Sequence, residues 1–349
     1  MPFCSKCGAE LDEGTKFCPS CGTPVGPPVA KPERRKAERR PLNILAIVLI
    51  VLIAGVSIIV SLSFLPIRTC DISETREVSY QEGIDKINLN FIADVAGINV
   101  AFEDLVDKLI TLDVSVKGRV AVFGSSNLLD LTFDHTTSDN VLNITSEVDI
   151  VDRSWLRYYS LNVTCVICID PSMNASLNVK TSIGGIVLDT QAGVVLNSLN
   201  LEATTGGVEA NLVENVVLAG DVTVKTVTGG TKLSWDNLAI TKNVQVNATT
   251  TTGGVDVDII QPTELLRNIT VNAEATTGGV DFSIDIQGDV GAKIEAETTT
   301  GGINKYLPYG FSTPTDQLVQ STNYPDSNNF EVNLKTTTGG ININARYTE

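Results

Sequence analysis

The sequence predicts a mainly β protein in which strand units of about 22–25 residues stack as a β-helix, or solenoid. A small N-terminal cysteine module and one transmembrane helix are predicted to precede it. Three observations lead to this prediction: seven Gly-Gly pairs at a nearly constant spacing, two Cys-x-x-Cys-Gly motifs, and a long uncharged stretch between these features. They divide the 349 residues into parts of different chemistry.

Residues 1–25 form a candidate metal module. The stretch "FCSKCGAELDEGTKFCPSCGTPV" contains two cysteine pairs, Cys4, Cys7, Cys18 and Cys21. Two thiolates three positions apart on a tight turn can face one ion, and Gly8 and Gly22 let the backbone fold back towards the sulfurs. A disulfide pair is disfavoured by the cytoplasmic location predicted below, and a redox site lacks a thioredoxin-like context. Tetrahedral Zn²⁺ is therefore the expected ion.

Residues 3–25 resemble the short zinc-ribbon domains that open many prokaryotic membrane proteins. Four closed ligands leave no open coordination position, so the Zn²⁺ is expected to be structural. A module this small cannot bury an adequate core, and we expect its folding and metal binding to be one event.

Residues 42–67 contain no charged residue and predict a transmembrane helix, because a bilayer core needs about 20 apolar residues. Residues 26–41 form a basic linker that is expected to lie against anionic lipid headgroups. Since basic flanks stay in the cytoplasm, we predict a single-pass protein with its N-terminus inside and its C-terminal domain outside. The apolar stretch is too long for a buried core helix. A cleaved signal peptide is disfavoured because the cysteine module and the linker precede the stretch.

The repeat is defined by its diglycines, which begin at Gly184, Gly206, Gly229, Gly253, Gly278, Gly301 and Gly339. Apolar residues stand seven and five positions before the first glycine, and two and four positions after it, with polar residues between them. This alternation predicts strands with one buried face, so each repeat is read as strand, Gly-Gly corner, strand. The apolar residues occupy odd positions before the glycine and even positions after it, so the backbone must reverse its facing at the corner. Glycine tolerates the positive φ that this requires.

Two polar columns follow if equivalent positions stack about 4.8 Å apart. Six positions before the glycine stand Asn178, Asn200, Asn247, Asn272 and Asn333. Thr pairs that directly precede five corners are expected to form hydrogen-bonding, β-branched columns: Thr204–Thr205, Thr251–Thr252, Thr276–Thr277, Thr299–Thr300 and Thr337–Thr338. The alternative is a stacked β-hairpin array in which each diglycine is a two-residue turn. Stacked coils are favoured because a lone hairpin cannot bury its face.

The stretch "LNVTCVICIDPSMNASLNVKTSIGGIVLDT" and the Thr-Thr-Gly-Gly-Val repeats after it resemble adhesin-type domains of prokaryotic envelope proteins over about residues 85–349. The resemblance implies a single-stranded right-handed β-helix and lends no catalytic residues. We assign residues 68–84 to a juxtamembrane linker, 85–176 to an N-terminal cap and irregular β region, and 177–349 to the repeat solenoid. Within the cap, Gly97 is expected to mark one further, irregular corner, and the insertion before the last repeat is expected to be a surface loop.

Few residues point to catalysis. His135 is the only histidine, and its expected role is that of an ordinary polar residue. Acidic residues near the corners (Asp256, Asp258, Asp281 and Asp285) match no calcium-binding spacing, and charge balance on an exposed face is the simpler interpretation.

Three further cysteines and five Asn-x-Ser/Thr sequences follow the apolar stretch. A disulfide from Cys70 to Cys165 or Cys168 is possible outside the cell, although burial of at least one of the latter two is favoured. Glycosylation could occur at Asn143, Asn162, Asn174, Asn247 and Asn268.

The function predicted from these parts is a membrane-anchored cell-surface protein with an adhesive or structural role, not an enzyme. The expected partners are membrane lipid at residues 42–67, an extracellular protein or glycan, and a cytoplasmic protein at the ribbon. Residues 68–349 hold 17 Lys/Arg and 36 Asp/Glu, which argues against nucleic acid at the β domain. The alternative is an envelope sensor that relays an external signal through the zinc ribbon, and a polysaccharide-cleaving β-helix ranks last.

Overall fold

The computed structural model describes residues 2–26, 48, 51–55, 67–121, 128–151, 158–325 and 328–348. The chain divides into two compact units, Met1–Phe64 and Leu65–Glu349. The predicted basic linker 26–41 and transmembrane segment 42–67 lie outside the described residues, apart from Gly26, Ile67 and the helical residues 48 and 51–55. In the described part of the chain, no helix is long and apolar enough to cross a bilayer.

The second unit is built from two large sheets that are joined at the diglycine corners. The strands before the corners belong to a 14-stranded sheet, here called the pre-glycine sheet: β2 (Lys86–Val95), β5 (Leu129–Ser138), β6 (Val141–Ile150), β8 (Asn174–Ile183), β10 (Val195–Thr205), β12 (Val217–Leu218), β13 (Val222–Thr228), β15 (Ala239–Ile240), β16 (Val244–Thr252), β18 (Ile269–Thr277), β20 (Gly291–Thr300), β22 (Phe311–Thr315), β23 (Leu318–Ser321) and β24 (Asn329–Thr338). The strands after the corners belong to an 11-stranded post-glycine sheet: β1 (Ile67–Ser79), β3 (Gly97–Phe102), β4 (Lys108–Ala121), β7 (Tyr158–Ile169), β9 (Ile186–Asp189), β11 (Val208–Leu212), β14 (Thr231–Asp236), β17 (Val255–Gln261), β19 (Val280–Gln287), β21 (Ile303–Tyr309) and β25 (Ile341–Thr348).

Neighbouring repeats pair in parallel and in register. Asn178 is paired with Asn200 in the pre-glycine sheet, and Val255 with Val280 in the post-glycine sheet. The two strands of one repeat lie in different sheets and do not pair with each other. The diglycine is therefore not a hairpin turn, and the hairpin-array alternative is wrong.

The predicted alternation is seen in the burial of the side chains. Leu177 and Val179 before the first corner, and Ile186 and Leu188 after it, are at most 2% exposed. The inward residues of all repeats belong to one hydrophobic cluster that extends from Cys70 to Tyr347. Each repeat therefore contributes both of its strands to a single core.

The first glycine of each corner is required by the contact between repeats. Its φ lies between 134° and 152° in all seven corners. A Cβ placed on it would lie 1.7–2.0 Å from a backbone oxygen of the adjacent corner, so a side chain cannot be accommodated there. This close approach lets the hydrogen-bond ladder continue around the bend: Gly206 N donates to Thr228 O, and Val208 N donates to Gly230 O.

A buried threonine three positions before the first glycine supports this contact. The hydroxyl of Thr226 donates to Gly206 O at 2.8 Å, and that of Thr250 donates to Gly229 O at 3.0 Å. Thr336, Thr298 and Thr181 make the equivalent bond at their corners. The predicted Thr pairs that follow are exposed, and within the described residues their hydroxyls make no hydrogen bond.

The repeats do not stack entirely in chain order. The last repeat, β24–β25, lies between the fifth repeat, β18–β19, and the sixth, β20–β21. The insertion before it is not a simple surface loop, because β22 and β23 pair antiparallel and β23 covers the edge of β20. Lys305, at a position that is apolar in most repeats, lies in the outermost repeat and donates to Asp316 O at 2.7 Å.

A column of charges four positions before the glycine is consistent with this order. In space it reads Lys180, Glu202, Lys225, Thr249, Glu274, Lys335 and Glu297. Lys335 of the last repeat thus separates two carboxylates, and its Nζ lies 3.5 Å from Glu297 Oε2. Stacking in chain order would place Glu274 next to Glu297, and like charges directly across a strand pair are destabilising.

The N-terminal end of the second unit contains two strand units beyond the first diglycine repeat. β2–β3 pairs in register with β8–β9 and has Ala96–Gly97 at its corner, as expected for Gly97. β6 and β7 pair on its outer side, and β5 and β4 then pair antiparallel with them. Residues 68–84 were assigned to a linker, whereas Ile67–Ser79 form β1, which pairs with β4. The linker assignment is therefore wrong. The charged residues that alternate along β1 suit an exposed edge strand.

We expect Gly253→Ala to destabilise the second unit by more than about 3 kcal/mol, because it combines a disfavoured φ with a backbone collision. Gly254→Ala is the matched control, since its Cβ would lie 3.7 Å from Gly279 O, and we expect about 1 kcal/mol or less. Urea unfolding followed by tryptophan fluorescence, to which buried Trp235 contributes, measures both. Equal effects of the two variants would contradict the proposed role of the first glycine.

We also expect Lys335→Glu to lower the free energy of unfolding by up to about 1 kcal/mol, because three carboxylates then adjoin at an exposed position. Urea unfolding measures the change. Adding Glu274→Lys should restore most of the loss. The control is Lys242→Glu, an exposed residue outside the column. A loss at Lys335 no larger than at Lys242 would show that the charge column does not support the observed order.

Candidate metal centre

The two cysteine motifs fold into nearly identical knuckles. Gly8 N donates to Cys4 O at 2.9 Å, and Gly22 N donates to Cys18 O at 2.8 Å. Both glycines have positive φ, 74° and 69°, as the predicted fold-back of the chain requires. The knuckles are therefore held by backbone bonds that do not involve the sulfurs.

The four sulfurs converge on one point. Cys4 Sγ lies 3.7 Å from Cys21 Sγ, and Cys7 Sγ lies 3.5 Å from Cys18 Sγ. All four lie within 4.8 Å of one another. A tetrahedral ion with bonds of about 2.3 Å would separate its sulfurs by about 3.8 Å, so the cluster fits Zn²⁺.

The surroundings of the thiols favour charge on two of them. Backbone hydrogen bonds at Lys6 and Cys7 lower the pKa of Cys4, and the Thr23 hydroxyl, 3.1 Å away, lowers the pKa of Cys21 to about 6. At Cys7 a backbone bond at Ala9 acts in the same direction, but contacts with Cys21 and Cys18 prevail and raise its pKa to about 12. Without a cation, neighbouring thiolates oppose one another, and a bound metal ion would remove this conflict.

The apolar core of this module is very small. Its buried residues are Cys4, Leu11 and Cys18, with Ala9 and Val25 packed against them. Two of these three buried residues are candidate ligands, so the interior of the module is largely the metal cluster itself. Loss of the ion would therefore remove most of what holds residues 2–26 in this conformation.

Comparison with known proteins identifies this module. Residues 3–25 match the zinc-ribbon domain. The match agrees with the four clustered cysteines and supports a metal-binding site, while zinc as the resident ion stays a prediction.

The chain is also similar to three solved bacterial structures. A "putative cell adhesion protein" from Clostridium sporogenes has 18% identity, and the match covers 79% of this chain and 100% of that one, with a TM-score of 0.39. A "putative adhesin" from Bacteroides fragilis has 14% identity, with 78% and 97% of the two chains covered and a TM-score of 0.29. A "putative adhesin" from Parabacteroides distasonis has 11% identity, with 78% and 97% covered and a TM-score of 0.32. No curated protein matches the chain.

The cysteines of the second unit are not bridged. In the described part of the chain, Cys70, Cys165 and Cys168 form no disulfide, which is against the bridge that the sequence left open. Cys165 is fully buried on β7, and burial raises the pKa of its thiol to about 12. Cys168, on the opposite face, is half-buried. Cys165 therefore packs as a small apolar core residue, and Cys168 is a half-buried residue of the same strand.

The other residues considered for chemistry do not form a ligand cluster. Among the described residues, the four ribbon cysteines form the one group of three or more ligand atoms close enough to share an ion. His135 is exposed on β5, with its ring centre 6.2 Å from that of Phe133. Asp256 is paired with Asp281 across strands; burial and then this neighbour raise the pKa of Asp256. Lys232 Nζ lies 2.8 Å from Glu209 Oε1, as charge balance predicts.

The predicted asparagine column is confirmed as a ladder of side-chain hydrogen bonds. Asn200 Nδ2 donates to Asn178 Oδ1 at 2.7 Å, and Asn272 Nδ2 donates to Asn247 Oδ1 at 2.8 Å. Asn333 extends the second group by donating to Asn272. Sequence reasoning missed that the first group continues to Asn90, because β2–β3 has no diglycine to align it.

We expect the purified full-length chain to contain about one Zn²⁺ and Cys18→Ser to lose it, with residues 2–26 becoming sensitive to protease. Ser20→Ala, an exposed change in the same knuckle, is the matched control and should keep the ion. Elemental analysis and limited proteolysis measure both effects. Because protons compete for the thiolates, the metal content should fall as the pH is lowered. Full zinc content in the Cys18 variant would refute a four-cysteine site.

Proposed function

We propose that this chain is a single-pass membrane protein that presents a right-handed β-solenoid outside the cell and a structural zinc ribbon in the cytoplasm. The observation that carries the proposal is the parallel, in-register pairing of successive repeats, which gives both sheets long and regular outer faces. Right-handedness follows the general preference of parallel crossover connections. The apolar residues 42–67 would be the anchor, and the basic residues before them would remain inside.

The role that these faces support is adhesive or structural binding and not catalysis. The outward residues repeat at strand spacing, and Asn, Thr and paired charges dominate them. Such a surface offers many weak and similar contacts over a long distance, which suits attachment to an extended partner. The excess of Asp and Glu in residues 68–349 argues against nucleic acid as that partner.

The ribbon would have a separate function on the other side of the membrane. Its four sulfurs would be fully used by Zn²⁺, so the ion would stabilise the fold without supplying a reactive position. Phe3 and Phe17, each directly before a knuckle, are more than 60% exposed. Exposed aromatic side chains on so small a module favour docking to a cytoplasmic protein.

The topology is tested with a membrane-impermeant maleimide reagent on intact cells. Thr276→Cys places a thiol at an exposed corner of the second unit, and Glu13→Cys places one on the exposed surface of the ribbon. We expect the first variant to be labelled on intact cells, and the second only after permeabilisation, with the unmodified chain as the blank. Labelling in the reverse order, or of neither variant before permeabilisation, would refute a surface-exposed solenoid.

A further inference from the structure

One part of the pre-glycine sheet has eight neighbouring outward side chains that are all polar and uncharged. It spans β6, β2, β8 and β10 near the N-terminal end of the second unit and is called the amide patch. Its residues are Asn88, Asn90, Asn143, Thr145, Ser176, Asn178, Ser198 and Asn200, which line one open depression. The side chains directly beneath them, including Leu89, Ile144 and Leu177, are buried in the core.

The amides of the patch are oriented by each other. Asn178 Nδ2 donates to Asn90 Oδ1 at 2.5 Å, and Asn88 Nδ2 donates to Asn143 Oδ1 at 2.9 Å. Asn200 Nδ2 donates to Asn178 Oδ1 and also to Glu202 Oε1, at 2.9 Å, at the border of the patch. An amide can donate two hydrogen bonds and accept two. Among the described contacts, Asn178 therefore keeps one N–H and one acceptor position for a ligand, and Asn90 keeps both N–H groups. The patch offers donors and acceptors in fixed positions.

The patch itself is uncharged, and charged side chains begin two positions further along β8 and β10, where Lys180 Nζ lies 3.2 Å from Glu202 Oε1. Towards the C-terminal end, the same outer face carries ion pairs such as Lys293–Glu331 and Lys335–Glu297. Residues 68–349 contain 17 Lys/Arg and 36 Asp/Glu, yet none of the eight patch residues is charged. The eight residues offer no charged group to a polyanion or a metal ion, and the adjacent Lys180 and Glu202 are paired with each other.

A protein partner is also poorly matched. The centre of a protein interface needs an apolar or aromatic anchor that fills a pocket. The patch exposes amides and hydroxyls, and the apolar residues beneath it are not accessible. A ligand must therefore be uncharged, rich in groups that both donate and accept, and long enough to contact several strands.

We propose that the amide patch binds an uncharged carbohydrate chain. Sugar hydroxyls donate and accept hydrogen bonds, as the free amide groups require, and successive sugar units would meet equivalent groups about 4.8 Å apart. Each hydrogen bond contributes little because water is displaced, so binding strength would come from the number of units bound. This inference rests on the proposed function, in which the second unit faces the outside.

The test uses the full-length chain in detergent, produced without N-glycosylation because Asn143 begins an Asn-x-Thr sequence within the patch. The probes are cellohexaose, mannohexaose and chitohexaose, with oligogalacturonate as the anionic control, and binding is measured by calorimetry. Asn178→Asp removes the free N–H donor and adds a charge. Asn272→Asp is the matched control, since Asn272 also donates to one asparagine and accepts from another but lies outside the patch.

We expect at least one uncharged probe to bind, Asn178→Asp to weaken its binding about tenfold, and Asn272→Asp to change it by less than about twofold. Both variants should have the same urea midpoint, because each breaks the same kind of ladder bond. Binding of no uncharged probe, equal losses in the two variants, or equally strong binding of oligogalacturonate would overturn the proposal. If Thr276→Cys is labelled from outside and one of these three binding results is obtained, the carbohydrate inference fails while the surface topology stands. If Thr276→Cys is not labelled on intact cells, the topology fails independently of the binding results.

Discussion

The contact of one diglycine corner with the next is the constraint on which the second unit depends. A carbonyl oxygen of one corner lies where the Cβ of the next first glycine would be, so the repeats can approach only if that position has no side chain. The approach lets the backbone ladder continue around the bend, with a bond from the first glycine and another from the residue after the second. It also sends the two strands of each repeat into different sheets. The inward positions must then change parity at the corner, which places both apolar faces on one core.

A stack held together by this contact has two exposed ends, and both are closed in a similar manner. At the C-terminal end the sixth repeat is outermost, β22 and β23 cover its pre-glycine strand, and the final repeat lies one place further in. At the N-terminal end β6–β7 lies outside β2–β3, antiparallel β5 and β4 cover it, and the chain then continues on the inner side with β8–β9. An antiparallel strand thus covers the parallel edge of both sheets at the N-terminal end, and of the pre-glycine sheet at the C-terminal end, where β21 is the last strand of the post-glycine sheet. Because open parallel edges invite pairing with other chains, this arrangement keeps the regular part of the stack away from such contacts.

The sequence predicted the features that repeat and missed those that depend on a single neighbour. The glycine spacing, the alternation and the asparagine column follow from periodicity, and the four ribbon cysteines follow from ligand spacing. The exchange of the last two repeats could not be read from periodicity, because both fit the same pattern; it is seen in the register of Glu274, Lys335 and Glu297. The inward threonine found at five of the seven corners was missed because the exposed Thr pair beside it has the same composition. β1 was missed because its charged alternation is typical both of a linker and of an edge strand.

The two units show different relations between stability and binding chemistry. In the ribbon, the candidate ligands are also most of the core, so any change of its cysteines changes the fold as well. In the repeats, the corner and the inward residues hold the stack, whereas the outward residues contribute only ladder bonds. The outer chemistry can therefore differ from one outward column to the next, with amide ladders beside ion pairs, without any change in the core pattern. A surface built in this manner gains contacts by adding repeats and not by deepening a pocket, which favours an extended ligand over a small one.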